Sequence, residues 1–458
     1  MAHSELLTPT RPPPVGLSEH IARTLSLAVP VMIARVGILL LVAVDTAMTG
    51  HFGAIALAHY GLAMAPHVFM LLIGIGLLMG SAVLTAQAEG AGDSHDTGCV
   101  LRVALLHAAG YGAVMAALCY GGEAFLLATG QDPALAEGAG RVLVIFGWGM
   151  PGMFLYTATV FFLEAIDRPL PGMFVMIAAN ILNLFLNWLM IFGHWGFSAG
   201  GAEGAALATT IVRWCMFLLA VGYVLVRVDH VRYGLRGTIP GLRALARKFR
   251  RIGYPLGIAH GLETSAFSTM TLFAGLLGAV QVAGYMIAMN LISLVFMCAL
   301  GFATAASVRV GNAVGRRDPD GVRLAGWVSV GIASAFLISL GVVFYTASDW
   351  LTAIYTSEAA VAAIAAPTVL VAAFVLLPDG AQGVLMGALR GASDVWPATF
   401  LYLLSFWGVM IPTGYVLGVL ENHGAPGLMT AVLASTLCAM ILLGIRFYRV
   451  TRRTLKRA

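Results

Sequence analysis

The chain has 458 residues, 60% of them hydrophobic and only 10% charged, with a net charge of +5 and a mean hydropathy of +0.90. A soluble domain carries about 25% charged residues, so this composition excludes a water-covered globule and makes the membrane the solvent. Most of its Arg and Lys residues lie between apolar runs, without the aromatic interleaving of a nucleic-acid binder.

Residues 1–20 are polar and proline-rich ("TPTRPPP") and read as a short cytoplasmic arm rather than a cleavable leader. A spanning helix needs roughly 20 predominantly apolar residues. The sequence predicts about twelve, near 25–49, 57–85, 98–122, 138–163, 169–193, 202–226, 252–277, 281–308, 324–347, 359–387, 395–420 and 427–446. The runs are too long and too evenly apolar for barrel strands, so their backbone groups are satisfied within helices. The expected fold class is all-α, a polytopic membrane protein with two pseudo-symmetric six-helix bundles. Its expected parts are an arm (1–20), a first bundle (21–228), a basic cytoplasmic linker (229–251), a second bundle (252–448) and a basic cytoplasmic tail (449–458).

Charge placement gives the orientation. Arg and Lys crowd into the linker, the tail and the stretch "RVGNAVGRRDPDGVR", whereas the alternate connectors (50–56, 123–137, 194–201, 278–280, 348–358 and 421–426) hold none. By the positive-inside rule both termini are cytoplasmic.

The chain also repeats itself. "AVPVMIARVG" at 28–37 and "GYPLGIAHGL" at 253–262 share an offset of 225, in which Pro30 falls on Pro255, Ala58 on Ala283, Gly76 on Gly301, Gly90 on Gly315 and Asp93 on Asp318. A second match, at offset 227, pairs Pro151 with Pro378, Asp167 with Asp394 and Thr209 with Thr436. An even number of helices per half gives parallel repeats, related by an axis along the membrane normal. Such folds place substrate between the halves and rock one against the other.

Against this apolar background a few acids stand out inside predicted helices: Asp45, Glu263 and Asp379. A carboxylate at membrane depth costs roughly 2.5–3.5 kcal/mol on insertion scales, so it marks an ion or substrate path that water reaches, or a hydrogen bond between helices. "ANILNLFLNWLM" sets Asn180, Asn183 and Asn187 on one helical stripe. Amide oxygens beside a carboxylate suit a hard cation such as Na⁺. They equally suit a proton relay or interhelical hydrogen bonding. Glu263 has His260 at i−3 and Phe267 at i+4, and Pro378 frees a backbone carbonyl beside Asp379, for an ion, a water or a hinge.

Other features carry less chemistry. Arg35 and Arg213 are expected to snorkel or pair. Histidines 51, 59, 67, 107 and 260 lack metal-ligand spacing, and the five cysteines are scattered packing residues. Some of the 21 methionines suit a pliable pocket. There is no P-loop and no Ser-His-Asp or zinc pattern, so the chain is not expected to be an enzyme.

Several stretches resemble the multidrug and toxic compound extrusion (MATE) transporters, nearest to the NorM-like branch. They are "LAVPVMIARVGILLLVAVDTAMTGHFG", "AQAEGAGD", "EAIDRPLPGMFVMIAANILNLFLNWLMIFG", "GGAEGAALATT", "SVRVGNAVGRRD" and "LPDGAQGVLMGALRG", together spanning most of residues 20–450. The resemblance implies two bundles in a V around a central cavity, and exchange of inward Na⁺ or H⁺ for outward organic cations. It implies that Asp45, Asn183, Asn187 and Thr209 form an amino-terminal cation-coupling site, with Asn180 a lesser member. It further implies that Glu263 and Asp379, with Phe267 beside them, form a second site for cation or drug. Where NorM-like proteins often carry a Tyr one turn before the helix-ten acid, this chain has Val375.

The expected function is therefore a cation-coupled antiporter in the cell inner membrane, exporting small organic cations by alternating access. Na⁺ at Asp45 or at Glu263/Asp379, or H⁺, would couple the cycle. The bilayer is its other partner, no further cofactor or nucleic acid is expected, and the protein is expected to act as a monomer. The alternatives are a lipid-linked oligosaccharide flippase of related fold and a solute importer.

Overall fold

A computed structural model describes residues 17–239 and 241–452; most of the arm (1–16) and most of the basic tail (453–458) lie outside the described residues. Twelve long helices follow in chain order. The first six are α1 (Leu17–Phe52), α2 (Ala54–Gly90), α3 (Ser94–Cys119), α4 (Pro133–Ala165), α5 (Leu170–Phe192) and α6 (Gly201–Arg227). The second six are α7 (Leu242–Leu276), α8 (Ala279–Gly315), α9 (Pro319–Thr346), α10 (Ala359–Gly391), α11 (Val395–Leu420) and α12 (Gly424–Thr451). Short helices at Gly122–Ala128 and Ser348–Ala353 precede α4 and α10.

Eleven of the twelve are long and apolar enough to cross a membrane. The exception is α7, whose first turns carry Arg243, Arg247, Lys248, Arg250 and Arg251. This helix starts at Leu242, inside the stretch expected to be linker. Leu, Ala, Arg and Lys are all good helix formers, and Gly241 at φ +62° provides the turn before them. Likewise α1 starts at Leu17, inside the expected arm, so the helix runs on past its apolar segment.

The repeat is visible in the caps. Asp93 accepts from the Asp96 amide at the start of α3, and its mate Asp318 accepts from the Gly321 amide at the start of α9. Pro30 and Pro255 both interrupt the first helix of their bundle, and Pro151 and Pro378 the fourth. In the first bundle α4 packs on α2, α3 and α6; in the second α10 packs on α8, α9 and α12.

The bundles meet through repeat-related glycines. Gly76 of α2 faces Gly257 of α7, where an added Cβ would stand 2.8 Å from the Gly257 Cα. Its mate Gly301 of α8 faces Ala28 and Met32 of α1, and Met32 is the mate of Gly257. Farther along, Gly90 faces Asn312 and Gly315 faces Gln87, again mates of one another. These four approaches, with the Gln87 Nε2 bond to the Gly391 carbonyl (2.9 Å) and the Arg309 bonds to Thr24 and His20, lie toward the membrane face carrying the basic connectors. Small residues let helix backbones approach closely where lipid supplies no hydrophobic drive.

In α11 the regular helix gives way to π-helical turns at Leu404–Met410 and Tyr415–Leu420, on either side of Pro412. Proline has no N–H to donate, so the ladder around it relaxes. Outward-facing Leu106, Val114, Leu118, Phe174 and Ile181 are exposed, as lipid-facing surface requires.

Candidate cation sites in the two bundles

In the first bundle α1, α2, α5 and α6 bring a single carboxylate into a cage of donors. Asp45 Oδ1 accepts from Asn183 Nδ2 at 2.9 Å and Asn187 Nδ2 at 2.6 Å. Its Oδ2 accepts from Thr209 Oγ1 at 2.6 Å and Tyr60 Oη at 3.2 Å. Asn187 Nδ2 also reaches Asn183 Oδ1 at 3.2 Å. Asp45 is 2% exposed, and Asn183 and Asn187 are fully buried. The i, i+4 spacing of the two asparagines on α5 makes this convergence.

Asn180, one turn earlier on α5, stands outside the cage. Its amide donates to the Gly37 carbonyl at 3.1 Å and the Met176 carbonyl at 2.9 Å. Gly37 precedes Asp45 by eight residues, about 12 Å along a helix axis, so Asn180 ties α5 to α1 rather than facing the acid. Tyr60 completes the cage, and the sequence gives no sign of it, because a tyrosine in an apolar run carries no signal until its partner is known.

The cage is chemically one-sided. Four groups donate to Asp45, which suits an ionised carboxylate. Asn187 Oδ1 is buried without a partner. Rotating that amide would aim an oxygen at Asp45, where it can accept from a protonated carboxyl or ligate a hard cation. Oxygens of Asp45, Thr209, Asn183, Asn187 and Tyr60 are a set that fits Na⁺; among the described residues no group of three or more His, Cys, Asp or Glu is placed to hold a metal.

The second bundle does not copy this cage. By the repeat, Asp45 corresponds to Met270, Asn183 to Met410 and Asn187 to Gly414. Met270 is fully buried with its thioether against Gly414. Tyr285, the mate of Tyr60, keeps its place, but its buried hydroxyl has no partner.

The acids of the second bundle sit elsewhere. Glu263 on α7 accepts from Tyr402 Oη of α11 at 3.1 Å and has His260 Nδ1 at 3.5 Å. Asp379 on α10 accepts from Gln382 Nε2 at 3.4 Å, and Gln382 Oε1 is buried and unpartnered. The two carboxylates lie within electrostatic reach of one another and of Tyr402. Phe406 links the ring of Tyr402 (4.8 Å between centroids) to that of Phe267 (5.7 Å), which gives the acids an aromatic wall. Val375 is fully buried, and the phenol comes from Tyr402 of a different helix. Asp379 is 6% exposed, but the side chains of Glu263 and His260 are 15% and 26% exposed, so this site is open at one edge. Tyr402 is the residue whose place here the fold reveals, since it reaches Glu263 from a different helix.

Arg35 meets Glu164 at 3.7 Å, as expected of a pairing arginine. Arg213 meets no acid within ion-pair distance among the described residues; its Nη2 lies 2.9 Å from His67 Nε2.

Comparison with known proteins agrees with this architecture. The MatE family model matches residues 30–189 and 255–416, one segment in each bundle. The chain is 35% identical over 455 residues to "Probable multidrug resistance protein NorM" of Caulobacter vibrioides, covering 99% of this chain and 96% of that protein. It is 32% identical to the Xanthomonas campestris protein of the same description, covering 93% of each. Among solved structures it superposes on a eukaryotic MATE transporter with a TM-score of 0.87 at 19% identity, and on a MOP superfamily transporter from Pyrococcus furiosus with 0.85 at 18%; each covers 96% of this chain and 98% of the other. At those identities the likeness is one of fold. With both repeat halves matched and relatives aligned end to end, the chain belongs to the MatE family of membrane transporters.

Proposed function

We propose that the protein is a cation-coupled antiporter that exports organic cations, with Na⁺ or H⁺ as the coupling ion. The observation that carries this reading is the Asp45 cage. A carboxylate deep in the first bundle holds four donors, beside an amide oxygen that has no other use. The Glu263–Asp379 pair, open at one edge and backed by Tyr402, Phe406 and Phe267, suits a larger cation with aromatic or apolar substance. Multidrug resistance proteins among the relatives support an export role.

In this account each acid binds either the small cation or the drug well, but not both. The ligands then act by preferring different arrangements of the two bundles. One charge moving inward supplies about 2.3 kcal/mol per 100 mV. The same reading puts the protein in the bacterial inner membrane as a monomer, with both termini on the cytoplasmic side and no resident cofactor. A flippase would need a cluster of cations to hold pyrophosphate; Arg35 is paired with Glu164 at 3.7 Å, and Arg213 is bonded to His67 at 2.9 Å.

The test is efflux of a fluorescent organic cation from cells expressing wild-type or Asp45→Asn protein at matched membrane levels. The account expects the variant to insert and to lose efflux. Wild-type efflux by the variant would overturn it.

A further inference from the structure

Arg213 is a buried cation with no salt bridge among the described residues. It is 9% exposed on α6, and its stem passes beside Gly149 of α4, where an added Cβ would stand 3.1 Å from Arg213 Cδ. Its Nη2 bonds His67 Nε2, and Nη1 is buried without a partner. Because a guanidinium only donates, His67 Nε2 accepts, and the ring is neutral with its proton on Nδ1. The pair stacks on Phe146. His67 lies 4.5 Å from that ring, centroid to centroid, and the guanidinium carbon lies 5.7 Å from it.

An isolated charge in an apolar interior is costly unless an opposite charge compensates it. Among the described residues the carboxylate within electrostatic reach of Arg213 is Asp45. Tyr60 connects the two: it donates to Asp45 and sets its ring edge against Phe146, at 5.9 Å between centroids.

The internal repeat supplies a comparison within the same chain. Where the second bundle has Met270 in place of Asp45, it has Met440 in place of Arg213 and Ile292 in place of His67. The cation and its holder are absent together with the acid, whereas the tyrosine stays.

We propose that Arg213, positioned by His67, is the internal counter-charge of Asp45 and sets how tightly the first bundle holds its coupling cation. With no cation bound, carboxylate and guanidinium balance. A cation arriving at Asp45 leaves the cluster with a net positive charge, so Arg213 weakens its binding and speeds its release. Arg213 acts through the field and through Tyr60, and touches neither ion nor drug. This rests on the antiport reading above.

The experiment compares wild type, Arg213→Met and Arg213→Lys in proteoliposomes loaded with a fluorescent organic cation. Na⁺ is varied at fixed pH, and protons at fixed Na⁺. Arg213→Met is expected to lower the half-saturating concentration of the effective ion by roughly tenfold, because the repulsion from one unit charge is removed, and to reduce the maximal rate. Arg213→Lys keeps the charge and is expected to stay near wild type. An unchanged or raised half-saturation in Arg213→Met, or the same shift in both variants, overturns the proposal. A purely structural arginine would not sharpen ion affinity.

A second measurement does not depend on transport. In detergent, the fall in Tm caused by Arg213→Met is expected to be smaller when Asp45→Asn is also present, because neither charge is then left alone. Additive effects, or a double variant that fails to fold, overturn the counter-charge. If wild type responds to neither ion, the antiport reading fails, while the stability cycle still decides whether Arg213 balances Asp45.

Discussion

Asn187 Nδ2 lies 2.6 Å from Asp45 Oδ1, while the oxygen of the same amide is buried with nothing to accept from. One half of the side chain holds the ionised acid, and the other half is ready for whatever neutralises it. Asn187→Leu, of similar volume, is therefore expected to remove both functions. Drug efflux should fall about 10–100-fold, the cost of about 1.4–2.8 kcal/mol when a hydrogen bond to a buried charge is lost. Wild-type rates at normal expression would count against the cage.

The two tyrosines at repeat-related positions should answer oppositely. Tyr60→Phe removes a donor to Asp45 and is expected to impair efflux several-fold. Tyr285→Phe removes a buried hydroxyl without a partner, and is expected to leave transport intact and to hold or raise Tm. Thermal unfolding and efflux on the same preparations check both. Equal losses in the pair would contradict the claim that only one bundle carries this site.

At the second site Tyr402→Phe should raise the drug concentration giving half-maximal efflux more than it changes the maximal rate. The ring remains against Phe406 while the bond to Glu263 is lost. Glu263→Gln is expected to be the more severe variant, because it removes charge as well as geometry. A Tyr402→Phe protein that loses the maximal rate alone would place the phenol in the ion step instead.

Gly76 and Gly301 mark the two equivalent crossings between bundles. Gly76→Leu would press side-chain atoms into the Gly257 backbone, and overpacking of this kind costs about 1–3 kcal/mol. The expected result is a lower Tm and slowed transport, with Gly301→Leu behaving alike because its contact is the symmetry mate. Gly110, which has open space around it, is the control expected to tolerate the same change.

Much of this architecture is legible in the sequence because membrane insertion writes it in long signals. Apolar runs give the helices, and the offset of 225 pairs not only Gly76 with Gly301 but also the residues they touch. Asp45, Asn183 and Asn187 stand out because polar groups at depth are rare. Short-range spacing also overstates the site: Asn180 shares the stripe, yet its amide is used by the Gly37 and Met176 carbonyls. Tyr60 and Tyr402 are not legible, since a phenol gains its role from an acid on a different helix, and that pairing depends on tertiary packing. The helix starts at Leu17 and Leu242 are hidden for another reason. Beyond the apolar run, helix propensity takes over from hydropathy.

The most direct test reconstitutes the purified protein in liposomes and follows a fluorescent organic cation under an imposed Na⁺ gradient or an imposed pH gradient, each alone, with Asp45→Asn in parallel. The account predicts that at least one gradient drives the drug uphill in wild type and that the variant shows no such drive. Movement of the drug that is indifferent to both gradients, or uphill movement that survives Asp45→Asn, would contradict it.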